Sequence, residues 1–255
     1  MSAPASFGVD VLAFGAHPDD VELFCGGIMI RLADLGYATA VIDLTRGELA
    51  THGSVEERAR EADAASRVLG LRFRENLGLP DGGLADGPGA APVRAIVAAL
   101  RRHRPEIVLA PWLEERHPDH AAAGALLARC VFLAGLPRFA PDAGERFVPR
   151  RLLHYPMRHR PRPTFVVDTT AAWERKLQAV ACHASQVAPP TGTPTLIGSP
   201  LALSAIEARD RYHGSMIGTS FGEALVSVAA LGVADPVALF RGNELGEPHA
   251  FDSTR

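Results

Sequence analysis

Cysteine is scarce in this chain. The three cysteines among 255 residues, Cys25, Cys130 and Cys182, are odd in number, widely separated and never spaced C-x-x-C. That excludes a disulfide framework and a cysteine-built metal knuckle, and it fits reduced thiols. Positive charge is not in excess: Lys and Arg total 26 against 29 Asp and Glu, a formal net charge of −3. The basic surplus that grips nucleic-acid phosphates is therefore missing. No stretch approaches the ~20 apolar residues of a membrane span, and M-S-A-P-A-S-F-G-V-D has neither the basic start nor the apolar run of a signal peptide. A cytoplasmic protein without nucleic-acid or membrane partners is expected. Both G-x-G-x-x-G and G-x-x-x-x-G-K-[ST] are absent, which argues against a nucleotide cradle.

What the chain does have is an ordinary globular composition, 47% hydrophobic and 22% charged, enough to bury a sizeable core. The length suits a single domain over residues 1–255, with a core at about 8–186 and a loop-rich C-terminal part at about 187–255. Apolar runs at Val9–Phe14, Ala38–Leu44, Arg72–Leu77 and Ile107–Pro111 are each followed by a helical pattern. These patterns cover Val21–Leu35, a segment opened by Ser54 and ending near Gly70, about Pro92–His103, and about His120–Ala134. Ser54 with Glu57 is a capping-box signature. Four strand-then-helix units predict an α/β, Rossmann-like, doubly wound and mostly parallel sheet with helices on both faces and strand order 3-2-1-4. Beyond it come short strands at Leu152–Tyr155 and Phe165–Val167, a helix at Ala171–Ser185, a Pro-rich loop at Val187–Pro200, a helix at Leu203–His213 and an irregular C-terminal extension.

Two clusters follow strands directly: H-P-D-D at residues 17–20 after the first, and H-P-D-H at residues 117–120 after the fourth. In the 3-2-1-4 order these strands are neighbours, and their carboxyl ends form the switch-point crevice where ligands bind. Two histidines and a carboxylate suit catalytic Zn²⁺, with a fourth position left for water. His17, Asp20 and His120 can converge on such a site. Asp19 and His117 remain for general base and oxyanion-facing roles, and Asp119 can orient an imidazole. His52 and Arg58 flank a polar loop, where substrate contact and plain solvation stand equal. His103, His154, His159, His213 and His249 have no partner spacing and read as surface or structural.

These residues resemble the LmbE-like (PIG-L) family of zinc-dependent deacetylases acting on N-acetylglucosamine conjugates. The resemblance rests on A-F-G-A-H-P-D-D-V-E at 13–22, D-L-T-R-G-E-L at 43–49, G-x-x-E-x-R-x-x-E-A at 53–62, N-L-G-L-P-D-G-G-L at 76–84, R-H-P-D-H at 116–120 and H-x-S-Q at 183–186. Within the family the set is most similar to the N-acetylglucosaminyl-malate deacetylases of bacillithiol biosynthesis. The resemblance implies Zn²⁺ on His17, Asp20 and His120, a base at Asp19, an acid at His117 with Asp119 behind it, and substrate contact by Arg58. Glu48 and Arg150 are taken as further substrate contacts. A small-molecule sugar conjugate is the implied partner, and a homo-oligomer, trimer or hexamer, the implied assembly. Departures are that the family's arginine before the Leu152–Tyr155 strand falls on Val148, between Arg146 and Arg150, and that Pro194–Ala202 lacks the family's tyrosine.

Overall fold

The computed structural model describes residues 7–85, 90–189, 193–199, 201–235 and 237. The four strand-then-helix units are β1 (Val9–Gly15) and α1 (Asp20–Asp34), β2 (Thr39–Thr45) and α2 (Val55–Leu69), β3 (Phe73–Leu79) and α3 (Ala90–His103), and β4 (Pro105–Pro111) and α4 (Pro118–Ala134). With β5 (Arg151–Tyr155) they form a five-stranded sheet ordered β3-β2-β1-β4-β5, parallel at every pairing. The expected fold class and strand order hold.

Strands buried on both faces read as unbroken apolar runs, and the pleat divides each run between two layers. Leu12, Phe14 and Ile42 pack with Ile96 and Leu100 of α3 and Leu127 of α4. Val11, Ala13 and Val41 pack on the opposite face with Val21, Phe24 and Ile28 of α1. The capping box of α2 forms as expected: the Ser54 side chain accepts from the Glu57 backbone and the Glu57 side chain from that of Ser54. The helix ends on Gly70 at φ 75°, a left-handed turn that suits glycine.

Two elements differ from expectation. The helix expected over Ala171–Ser185 is split into α5 (Trp173–Ala181) and α6 (Ala184–Val187), because His183 leaves helical geometry at ψ 51°. That break turns a fully buried imidazole inward, with Nε2 3.2 Å from Glu22 Oε1. The strand at β6 (Phe165–Asp168) stays out of the main sheet and pairs antiparallel with β7 (Gly222–Leu225).

β7 is invisible to pattern reading because its four residues, G-E-A-L, carry a buried carboxylate. Glu223 accepts from the backbone N–H groups of Gly27 and Ile28 at 3.1 and 2.7 Å, just past the kink at Cys25 in α1. Lys176 Nζ lies 2.5 Å from both Glu223 and Asp210, and Arg209 also pairs with Asp210 at 2.7 Å. The segment after residue 187 is thus less loop-like than expected: α7 (Leu201–Met216) and β7 supply Ile206 and Leu225 to the core. His249 lies outside the described residues. No described helix is long and apolar enough to cross a membrane.

One consequence is acid sensitivity. Burial, then the neighbouring Arg209, push the His213 pKa down to about 4, whereas the unfolded chain takes up that proton near 6.5. Between these values the unfolded state binds more protons, so stability is lost as pH falls from about 6.5 towards 4. Thermal unfolding at pH 7 and pH 5 should show a smaller difference for His213→Gln than for the parent. An equal difference rules out this source.

Candidate active site

β1 and β4 are adjacent, so the loops leaving their carboxyl ends share one crevice. The H-P-D-D loop joins β1 to α1. The H-P-D-H loop opens α4, with His117 at the N-cap and proline next, where its missing N–H costs nothing. The ligating atoms of His17, Asp20 and His120 all lie within 4.8 Å of one another. His120 Nε2 is 3.1 Å from Asp20 Oδ1, and His17 Nδ1 is 3.7 Å from Asp20 Oδ2. Burial opposes a charge on His17, yet hydrogen bonding to Asp119, Asp20 and Asp81 raises its pKa to about 12. A proton and a divalent cation answer the same surplus of negative charge, so this set of two imidazoles and a carboxylate fits a metal.

Asp19 and His117 flank that donor set in a cleft of about 580 Å³. Asp19 holds φ at 120°, a strained conformation for a residue other than glycine. Burial raises its carboxyl pKa to about 6, with Arg58 pulling down and Asp20 pushing up. Burial, then His120 and His17, lower the pKa of His117 and so favour its neutral form. The Asp119 backbone N–H donates to its Nδ1 at 3.2 Å. That leaves the proton on Nε2, a hydrogen-bond donor at the ring's other edge.

Of the remaining expected site residues, four sit differently from their assigned roles. The sequence sets Asp119 behind His117. In the structure its carboxylate accepts from Gly82 and Leu84 at 2.7 and 3.2 Å and lies 3.6 Å from His17 Nε2, so it orients His17. Arg58 lines the cleft, but its Nη atoms donate to Pro18 O at 2.6 Å, Gly47 O at 3.1 Å and Asp19 Oδ2 at 3.4 Å. It braces the strained Asp19. Arg150 is not brought to the cleft at all. It precedes β5 at the amino-terminal edge of the sheet, pairing with Glu106 at 3.1 Å. Glu48 is exposed and accepts from the Asp81 backbone at 3.0 Å, steadying the turn after β3.

Sequence reasoning missed Asp81, His183 and Arg158. Asp81 Oδ1 lies 2.9 Å from His17 Nε2 while Oδ2 accepts from Leu49 N. It thereby fixes the ring through the nitrogen opposite the one facing Asp20. Its signal was its place in N-L-G-L-P-D-G-G-L, just past a strand end. His183 opens H-x-S-Q, whose Ser185 binds Glu61 and whose Gln186 donates to His52 O at 2.8 Å. The motif closes one wall of the cleft. Arg158 lines the cleft just past β5, with no local pattern to announce it.

Comparison with known proteins identifies the chain's relatives. The family model for PIG-L, GlcNAc-PI de-N-acetylase, matches residues 12–131. A diacetylchitobiose deacetylase of Thermococcus kodakarensis is 34% identical over 188 residues, covering 69% of each chain. A 1D-myo-inositol 2-acetamido-2-deoxy-alpha-D-glucopyranoside deacetylase of Rhodococcus jostii is 28% identical over 254 residues, 75% of this chain and 87% of its own. The crystal structure of a conserved protein from Thermus thermophilus superposes with a TM-score of 0.79 at 41% identity, covering 89% of this chain and 98% of that one.

Proposed function

The chain belongs to the PIG-L, GlcNAc-PI de-N-acetylase, family, and on that premise we propose that it is a zinc-dependent hydrolase removing the N-acetyl group of an N-acetylglucosamine conjugate. N-acetylglucosaminyl-malate is the substrate favoured by the motif set. The observation that carries the reading is the division of labour at the crevice: His17, Asp20 and His120 fit a metal, while Asp19 and His117 line the same cleft and are not needed to hold it.

His17, Asp20 and His120 would hold the zinc, which would supply Lewis-acid chemistry at the amide and its water. Asp19, held by Arg58, accepts the proton of the attacking water. His117 presents Nε2–H to the oxygen that gains charge as the carbonyl becomes tetrahedral. Asp81 and Asp119 keep the His17 ring from rotating. A deacetylase of the same family acting on a different N-acetylated sugar shares every one of these steps, so a substrate panel separates the two readings.

Metal analysis by mass spectrometry, with amine release from N-acetylglucosaminyl-malate and from diacetylchitobiose, tests the proposal. The parent should carry one zinc per chain. His120→Ala should lose it together with turnover, since solvent does not readily replace one of three protein ligands. Stoichiometric zinc in both His17→Ala and His120→Ala overturns the ligand assignment.

A further inference from the structure

A second cavity of about 120 Å³ is lined by Arg158, His159, Arg160, Arg209 and His213, with no acidic residue among the described residues of its walls. At roughly 30 Å³ per water, it has room for a small charged group. Arg158 and Phe24 line both this cavity and the active-site cleft.

Its cations are built in. The loop carrying Arg158 to Arg160 is pinned by Glu115, whose carboxylate accepts from the backbone of Met157, Arg158 and His159 at 2.8, 3.0 and 3.3 Å. Glu115 thus directs its oxygens at backbone groups. Arg209 is 7% exposed. It donates to Leu23 O at 2.7 Å, pairs with Asp210 and lies over the Phe24 ring at 4.9 Å. Its Nη1 is buried without a partner, and Asp210 is shared with Lys176. Arg158 also lies over Phe24, at 6.0 Å; burial, then Arg209 and Arg116, hold its pKa below the usual value. A buried guanidinium N–H is ordinarily matched by an acceptor, and Arg209 Nη1 has none.

We propose that this cavity is an anion subsite for a carboxylate or phosphate group borne on the aglycone of the substrate, with Arg158 and Phe24 joining it to the cleft where the acetyl group leaves. The inference rests on the deacetylase reading above and names its substrate class as anionic N-acetyl sugar conjugates. Planar, five-donor guanidinium groups are the side chains best matched to both anions.

Arg160 is the residue to change. It is exposed, lies over Tyr212 at 5.3 Å and lines only the second cavity. The parent, Arg160→Gln and Arg160→Glu are assayed on N-acetylglucosaminyl-malate, N-acetylglucosamine 1-phosphate and neutral diacetylchitobiose. A lost charge-assisted hydrogen bond corresponds to about a tenfold drop in kcat/KM for Arg160→Gln. The drop is expected mainly in KM, deeper for Arg160→Glu, and confined to the substrates carrying an anion. Whichever anionic substrate loses more identifies the group. Equal losses on all three substrates, or none on either anionic one, overturn the subsite while leaving the deacetylase reading in place. If the parent turns over none of them, that reading has failed, and titration calorimetry with malate and with inorganic phosphate decides the cavity alone. Binding abolished by Arg160→Glu sustains the subsite, and absence of binding overturns it.

Discussion

Asp19→Asn is expected to lower kcat by about 10²- to 10⁴-fold, the usual cost of removing a general base, while the protein stays folded and metal-loaded. Asparagine is nearly isosteric and is among the few residues that tolerate positive φ, so the strained backbone at 120° survives the exchange. The amide still meets Arg58, whose stronger bonds are to Pro18 O and Gly47 O, but it cannot accept a proton. Asp20→Asn one residue on should act differently, weakening the metal itself because its two oxygens face His17 and His120. The pair of variants separates chemistry from coordination. Full zinc with wild-type kcat in Asp19→Asn places the base elsewhere.

Arg74→Leu is expected to cost about 3–5 kcal/mol, the range for leaving a buried charge without its partner. Against a typical total of about 5–15 kcal/mol, that is a large fraction of the fold. Arg74 bridges Asp43 at 2.7 and 2.9 Å and Glu22 at 2.5 Å, and all three side chains are buried. Burial opposes the charge on Glu22, yet Arg74 and His183 hold its pKa well below the carboxylate range. Asp43 is pushed up by burial even with Arg74 beside it. Without the guanidinium both carboxyls are driven to protonate, so the deficit in Arg74→Leu shrinks as pH is lowered. Denaturant unfolding at pH 7 and pH 5 checks both statements. A loss below about 1 kcal/mol, or a deficit that grows in acid, removes the network from the features that hold the fold.

What the amino-acid order determined alone is whatever depends on neighbours in the chain. The apolar runs of β1, β2 and β4, the Ser54 and Glu57 box and the Gly70 stop are short-range patterns, and the structure contains each of them. The H-P-D-D and H-P-D-H loops were legible because each follows a strand end, and the 3-2-1-4 order makes those ends neighbours. Tertiary structure decided the rest. Asp81 reaches His17 across 64 positions, and His183 reaches Glu22 only because the chain breaks between α5 and α6. Asp119 and Arg58 kept their places beside the crevice but changed partners, because the direction of a side chain is settled by the donors and acceptors packed around it. Arg150 shows the converse: five residues of strand carry the chain from the amino-terminal end of the sheet to its carboxyl-terminal end. A cation before β5 is remote from the site, while Arg158 after it lines the cleft. Local sequence sets which way a strand or helix runs, but contacts between segments far apart in the chain set which of its side chains meet, and no periodicity encodes those meetings.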